Sequence, residues 1–282
     1  MTRRLLALAA VLVTAACAGR TPAPAAPRTA VAPVAVPTTA PVAATLAYVP
    51  GSARYRLEQT TRVVQEVMGQ VNTTDLSSRQ VLSAVITQGP GNLTLALTID
   101  SIEMTDPTGA AAGVLAARGQ TFRLVFAPSG LVVSTTAPDS TNPVFRQISS
   151  GLSDLLPHLP SSPASAGQTW IDTVTRSAGD AAISTRLVRQ HRVVGWEDRD
   201  GARALHLTTT SAYTVTGTTE AQGQSIELNG NGVSTRDAFV SAAGLFLGSV
   251  ESDSALVNAN VTSIGLVVPV RQARRTTITR IP

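Results

Sequence analysis

Residues 93–100 read Leu93-Thr94-Leu95-Ala96-Leu97-Thr98-Ile99-Asp100. On a pleated backbone Leu93, Leu95, Leu97 and Ile99 face one way, and Thr94, Ala96, Thr98 and Asp100 face the other. One apolar face and one wet face describe a strand of an antiparallel sheet packed on a single side. Phe122, Leu124 and Phe126 repeat the pattern, as do Leu205, Leu207, Thr209, Ser211, Tyr213 and Val215. Weaker strand candidates cover 54–68, 78–88, 169–178, 182–196, 223–236, 245–257, 258–264 and 266–280. Segment 54–68 would also suit a helix through Leu57, Val64, Val67 and Met68. Its Thr60-Thr61 and Val63-Val64 pairs favour strand, because β-branched side chains fit the pleat.

Turn signals separate the runs at Gly89-Pro90-Gly91, Pro128-Ser129-Gly130 and Arg199-Asp200-Gly201. Asp-Gly is a hairpin signal, and strands joined so tightly run antiparallel. One segment, 142–156, has a helical period. Asn142 is suited to cap it, Pro143 to its first position, and Phe145, Ile148, Leu152 and Leu155 or Leu156 share a face. Pro157 ends it, and a loop, Pro157-His158-Leu159-Pro160, follows. The predicted fold is mainly β: a long curved antiparallel sheet, a half-barrel of two meanders, with one central helix packed on it. Phe126 to Ser134 and Phe239 to Leu247 echo one another as aromatic, small-residue turn, Gly and apolar strand. The echo divides the β-rich region, 48–282, into candidate halves at 48–140 and 167–282.

The N-terminus sets the compartment. Arg3 and Arg4 precede an apolar run from Leu5 to Ala16, too short to span a bilayer, which takes ~20 residues. Residues 1–16 therefore read as an export signal. Thr14-Ala15-Ala16-Cys17 resembles the bacterial lipobox, which implies cleavage before Cys17 and its acylation with chains such as palmitate. An ordinary signal that leaves a free thiol is the rival reading. Cys17 is the only cysteine, so no disulfide forms within the chain and the fold rests on a core. Residues 17–47 carry Pro22, Pro24, Pro27, Pro33, Pro37 and Pro41, a polyproline-like tether able to reach roughly 90 Å when extended. Ala18 after the cysteine resembles enteric lipoproteins of the outer membrane that face the periplasm.

Every base is Arg. Removing Arg3 and Arg4 with the signal leaves twenty arginines against eighteen acids, a mature charge of +2. Only Arg271, Arg274 and Arg275 cluster, as on a solvated strand face, so nucleic acid is not an expected partner. An outer-membrane barrel would need aromatic girdles, and three Tyr, two Trp and five Phe are too few.

The strand meander, the helix, the Pro-rich loop and then Gly167-Gln168-Thr169-Trp170 resemble a family of uncharacterised exported bacterial proteins, often lipoproteins. In that family a Gly-Asp-Ser/Thr-Trp element opens the second half; Gln168 stands here in place of its Asp. Tyr55-Arg56-Leu57-Glu58-Gln59-Thr60-Thr61 and Gly69-Gln70 fit the same pattern. The resemblance carries no catalytic residues. At the level of fold the arrangement is similar to the Lol-type lipoprotein carriers, which implies a sheet with a helix on its concave face.

The chain carries few residues in patterns that support chemistry. His158, His191 and His206 lie far apart in sequence, with no second His or Cys at ligand spacing, so no metal site is expected. Without Lys there is no phosphate-binding loop and no Ser-Lys dyad. Glu197, Asp198 and Asp200 sit at a hairpin tip and read as a solvated turn. Glu251 and Asp253 read as a wet strand face, Trp170 and Trp196 as core packing at strand ends. No catalytic residue, no cofactor and no enzymatic activity are expected; Cys17, as lipid attachment point, is the one site residue. Two functions fit: a lipid-anchored periplasmic protein that holds a lipid or other apolar ligand between sheet and helix, or an envelope structural or protein-interaction module. Replacing Cys17 by Ser removes the acyl acceptor. The Cys17→Ser protein should leave the membrane pellet while its domain unfolds at the same urea concentration as wild type; a Cys17→Ser protein that still sediments with membranes would refute the anchor.

Overall fold

The computed structural model describes residues 45–105, 112–178, 183–221 and 223–282. The signal, Cys17 and most of the tether lie outside the described residues. Eleven strands form one antiparallel sheet: β1 (Gly51–Val67), β2 (Gln70–Gln88), β3 (Leu93–Thr105), β4 (Thr121–Phe126), β5 (Val132–Thr136), β6 (Thr169–Ala178), β7 (Ile183–Arg199), β8 (Ala202–Ala221), β9 (Gln224–Ser241), β10 (Phe246–Val261) and β11 (Leu266–Ile281). The spatial order is β5-β4-β3-β2-β1-β11-β10-β9-β8-β7-β6. Each half is thus a simple meander. The first strand of the chain pairs with the last, from Arg54 opposite Ile281 to Gln65 opposite Val270, and this joins the meanders into one curved, unclosed sheet.

Two helices are described, α1 (Ala112–Leu115) and α2 (Pro143–Leu152). The sequence announces only the second. Asn142 caps α2 through its side-chain oxygen, which accepts from the Val144 and Phe145 amides, and Pro143 opens it. The helix is shorter than the 142–156 expected: it ends at Leu152, and 153–156 turn back toward the sheet. The chain from β5 to β6 must travel from one open edge of the sheet to the other, and α2 lies on that path in contact with both edge strands.

The other differences from the expected elements are local. β2 begins at Gln70 rather than 78, because Met68 and Gly69 take positive φ and fold it tightly onto β1. Segment 258–264 is no separate strand: β10 continues through Val261 and a 3-10 turn, Thr262–Ile264, follows. Leu46, placed at the end of the tether, is buried with the main core.

The concave face carries that core. Leu93, Leu95, Leu97 and Ile99 of β3 pack with Phe122, Leu124 and Phe126 of β4 and with Leu205 and Leu207 of β8. From α2, Phe145 and Leu152 complete it, with Leu155 and Leu159 from the chain that follows. Phe145 meets Phe122 edge-on at 6.0 Å. A second apolar cluster, including Leu187, Tyr213, Ile226, Leu228 and Val257, lies farther along the same face. Register shifts at Val81/Leu82, Val193/Gly195 and Phe246/Gly248 reset the inward phase, so Ile99 and Ile102 are both buried and both Val193 and Trp196 pack on the main core. One extra residue in a ladder does this.

The echo between the halves corresponds to two turns of the same hydrogen-bonding pattern. The Ala127 amide donates to Leu131 O and the Gly130 amide to Ala127 O; the Ser241 amide donates to Leu245 O and the Gly244 amide to Ser241 O. Both glycines have positive φ, +90° and +77°. Between these turns runs the strap Leu46–Val49. The Tyr48 amide donates to Pro128 O at 2.8 Å and its hydroxyl to Pro157 O at 2.9 Å. Burial pushes the Tyr48 hydroxyl pKa well above its usual value, so it stays a donor. A Cβ on Gly244 would lie 2.2 Å from Ala47 O, whereas one on Gly69, at the same φ of +77°, would meet nothing within 4 Å. Gly69→Ala should therefore cost only backbone strain of about 1 kcal/mol, and Gly244→Ala that strain plus displacement of the strap, about 3 kcal/mol in all, in urea unfolding. Equal costs would show that the strap is not clamped.

Candidate functional site

Below the main core the concave face turns polar. Inward positions of the central strands there hold Arg189, Ser211, Ser234, Arg236, Glu251 and Asp253. Asp253 and Arg274 occupy opposed positions on β10 and β11 and form an ion pair, with the Asp253 side chain 1% exposed. Glu251 and Asp253 therefore point inward. Arg271 and Arg275 are exposed while Arg274 is committed to Asp253, so the three arginines make no common patch.

This belt fastens the end of α2. Asp154, two residues past the helix, pairs with Arg176 of β6 and Arg189 of β7. Arg236 of β9 donates to the carbonyls of Asp154 and Leu155, the latter at 2.7 Å, and to Ser249 Oγ at 3.0 Å. Guanidinium groups at a helix C-terminus also complement its exposed carbonyls and dipole. Burial raises the Asp154 pKa, but the charges of Arg189 and Arg176 outweigh it and lower it from 3.8 to about 2. The helix thus lies on the core through apolar side chains and is latched at one end by charge.

Beside the latch, the structure unites residues that the sequence scatters. His158 follows α2 in the loop, Trp170 and Asp172 lie on β6, and His191 lies on β7. His158 is held from both sides: Pro157 O accepts from Tyr48, and the Leu159 amide donates to Ser129 O at 2.7 Å. Trp170 faces His191 and Asp172 faces Arg189 across the β6–β7 ladder. His158 Nδ1 and His191 Nε2 both lie 3.1 Å from Asp172 Oδ2. His191 Nδ1 lies 2.9 Å from Thr209 Oγ1 on β8. The Trp170 ring stacks on His191 at 5.0 Å and 17°. The site is largely closed: the side chains of His158, Asp172 and His191 are 24%, 16% and 4% exposed. Burial raises the Asp172 pKa, but the hydrogen bonds from His158 and His191 and the charges of His191 and Arg189 hold the carboxyl well below its usual range. Asp172 Oδ1 and Trp170 Nε1 are buried without a hydrogen-bond partner among the described residues.

The expectation of scattered histidines fails here for a topological reason. His158 and Asp172 are separated by the loop that crosses the seam between the two open edge strands, β5 and β6, and Asp172 and His191 by a hairpin. The one sequence signal was the inward phase: Trp170, Asp172, Val174 and Arg176 share a face, as do Arg189, His191 and Val193. His206 stays apart, on the convex face, stacked on Phe239 at 4.6 Å and 2.9 Å from Asp237. Glu197, Asp198 and Asp200 occupy the β7–β8 tip, where Glu197 and Asp198 are exposed and Asp200 takes a positive φ. Trp196, like Trp170, packs against the main core.

No protein-family model and no curated protein matches the chain. Among solved structures it is similar to a DUF1329 family protein from Desulfovibrio piger, with TM-score 0.15 and 11% identity over 80% of this chain and 83% of that one. It is also similar to the COG4313 outer membrane channel from Pseudomonas putida F1, with TM-score 0.17 and 8% identity over 84% and 98%. A third is a putative outer membrane lipoprotein-sorting protein domain from Vibrio parahaemolyticus, with TM-score 0.16 and 7% identity over 80% and 83%. At these scores nothing about ligand, partner or compartment follows.

The latch has a pH signature. A carboxyl whose folded pKa is depressed contributes stability that is fully present above the unfolded pKa and is lost as pH falls through the folded one. For Asp154 that window runs from 3.8 down to about 2. Asp154→Asn should cost about 2 kcal/mol at pH 7 and converge on wild type near pH 2, as read by urea unfolding across pH. A constant gap over the whole pH range would mean that charge plays no part.

Proposed function

We propose that the chain is an exported protein of the bacterial cell envelope, anchored through lipid on Cys17 and facing the periplasm from the outer membrane, and that it binds rather than catalyses. On this reading it holds an acyl chain or similar apolar ligand between the curved sheet and α2. The supporting observation is the way α2 is attached: an apolar face over an apolar concave surface, fastened at one end by the Asp154 latch. Releasing such a latch costs a few kcal/mol, about 3 to 5 for a well-buried ion pair and less for one partly exposed. Ten methylenes transferred from water to the uncovered surface would return about 8 kcal/mol. The exchange is favourable for a long acyl chain and unfavourable for a short one. Arg176, Arg189 and Arg236, released from Asp154 and its neighbours, would then meet a phosphate or carboxylate head.

A second reading, an interaction module, draws on the edge strands. β5 and β6 each pair on one side only, and Ile171 on β6 is 67% exposed. Such an edge can accept a partner strand.

Protein extracted in mild detergent from its native membrane should carry a stoichiometric lipid in addition to its covalent anchor, seen by native and denaturing mass spectrometry. A delipidated sample should take up a long-chain fatty acid, and Asp154→Asn should bind it more readily. Recovery with no extra lipid, together with no uptake by either form, would sink the ligand reading and leave the edge-strand reading to crosslinking.

A further inference from the structure

We propose that His158, Asp172 and His191 form a binding site for one divalent first-row transition ion of the zinc type. The donor set is two imidazole nitrogens and one carboxylate, a combination suited to Zn²⁺ and its neighbours and poorly suited to Ca²⁺ or Mg²⁺. His158 Nδ1, His191 Nε2 and the carboxylate oxygen all lie within 4.8 Å of one another. Both nitrogens are 3.1 Å from Asp172 Oδ2. A tetrahedral ion with bonds of about 2.0–2.1 Å sets its ligand atoms roughly 3.3 Å apart, so small side-chain shifts admit it.

The surroundings are those of a built site. Leu159, next to His158, is fully buried, and both flanks of His158 are hydrogen-bonded to other segments. Trp170 stacks on His191 and fixes its ring plane. Thr209 Oγ1 stands at the far nitrogen of His191, the place of the outer partner that orients a metal-bound imidazole. Asp172 Oδ1 is a buried carboxylate oxygen without a hydrogen-bond partner among the described residues, available as a second oxygen for the ion.

Proton bookkeeping closes without any other reagent. In the neutral tautomer with its proton on Nε2, His191 donates to Asp172 Oδ2 and its Nδ1 accepts from the Thr209 hydroxyl, while a protonated imidazole would first release one proton to water. On metal binding the His191 proton moves to Nδ1, which donates to Thr209 Oγ1, and the Nε2 lone pair faces the ion. The His158 proton moves in the same way from Nδ1 to Nε2. Three protein ligands leave a fourth position for water or a small anion, as in zinc centres that are not purely structural.

The ion would also tie the loop after α2 to β6 and β7, the strands that carry Arg176 and Arg189. Metal would therefore stiffen the closed position of α2. The site stands whether or not the concave face takes a lipid, and its test needs no lipid.

The test is calorimetric titration of the full chain in detergent with Zn²⁺, after treatment with a chelator. One ion per chain with Kd tighter than about 10 µM is expected. Titration with Co²⁺ should give visible ligand-field bands of nitrogen–oxygen coordination. His158→Ala, His191→Ala and Asp172→Asn should each weaken Zn²⁺ binding at least ~100-fold, and Thr209→Val about tenfold. His206→Ala and Cys17→Ser should leave it unchanged. Wild-type protein without Co²⁺ bands, or His158→Ala binding as tightly as wild type, would overturn the proposal. So would loss of binding in His206→Ala, which would place the ion on the convex face. The wild-type Co²⁺ spectrum needs no variant, and its absence overturns the proposal even where a substitution unfolds the domain.

Discussion

Everything in this molecule depends on the pairing of its first strand with its last. β1 and β11 are the central neighbours of the sheet, matched from Arg54–Ile281 to Gln65–Val270. Without that ladder the chain would be two separate meanders, each with an exposed inner face. With it, β5 and β6 become the two open edges, and the connection between them must cross the seam. That crossing segment carries α2, Asp154 and His158. The contact between chain ends thus fixes where the latch and the histidine cluster can form. It is also the contact of greatest sequence separation, so its closure entropy must be offset by the neighbouring ladders and the core they bury.

The concave face solves a packing problem in two ways. Apolar side chains fill its upper part and are covered by α2, the strap and the loop. Lower down the inner face holds charges. A buried ion pair recovers its desolvation cost only with good geometry, and it is a weak source of net stability. Its effect here is positional: three arginines from β6, β7 and β9 converge on a single turn after α2. An apolar contact would let that turn slide, whereas directional bonds to Asp154 and to the Asp154 and Leu155 carbonyls do not.

Much of the β architecture was legible in the residues. The period of two at 93–100, 122–126 and 205–215 survives in the fold with the expected faces inward. Asn142 and Pro143 mark the start of α2 correctly. The errors lie where local pattern yields to tertiary context. Register shifts reset the alternation, so that Ile99 and Ile102 of β3 both turn inward, as do Val193 and Trp196 of β7. Leu155 and Leu156 continue the helical stripe on paper, yet Arg236 takes their turn's carbonyls and the helix stops at Leu152. Asp253 looked like a wet position, since nothing in its own strand announces Arg274 on the next.

The sequence by itself determined an antiparallel β-domain with one capped helix, because strand period, turn residues and caps are local properties of the chain. It also holds the pattern read as an export signal and a single cysteine in a lipobox-like setting, both of which depend on order and composition alone. Only the tertiary structure decided that the first strand pairs with the last to join the two meanders, that α2 is latched by three arginines, and that His158, Asp172 and His191 meet. These depend on which strands lie side by side and on which residues face inward at one height. Such distances arise when the ends of the chain pair and the loop crosses the seam, and no spacing within the sequence encodes them.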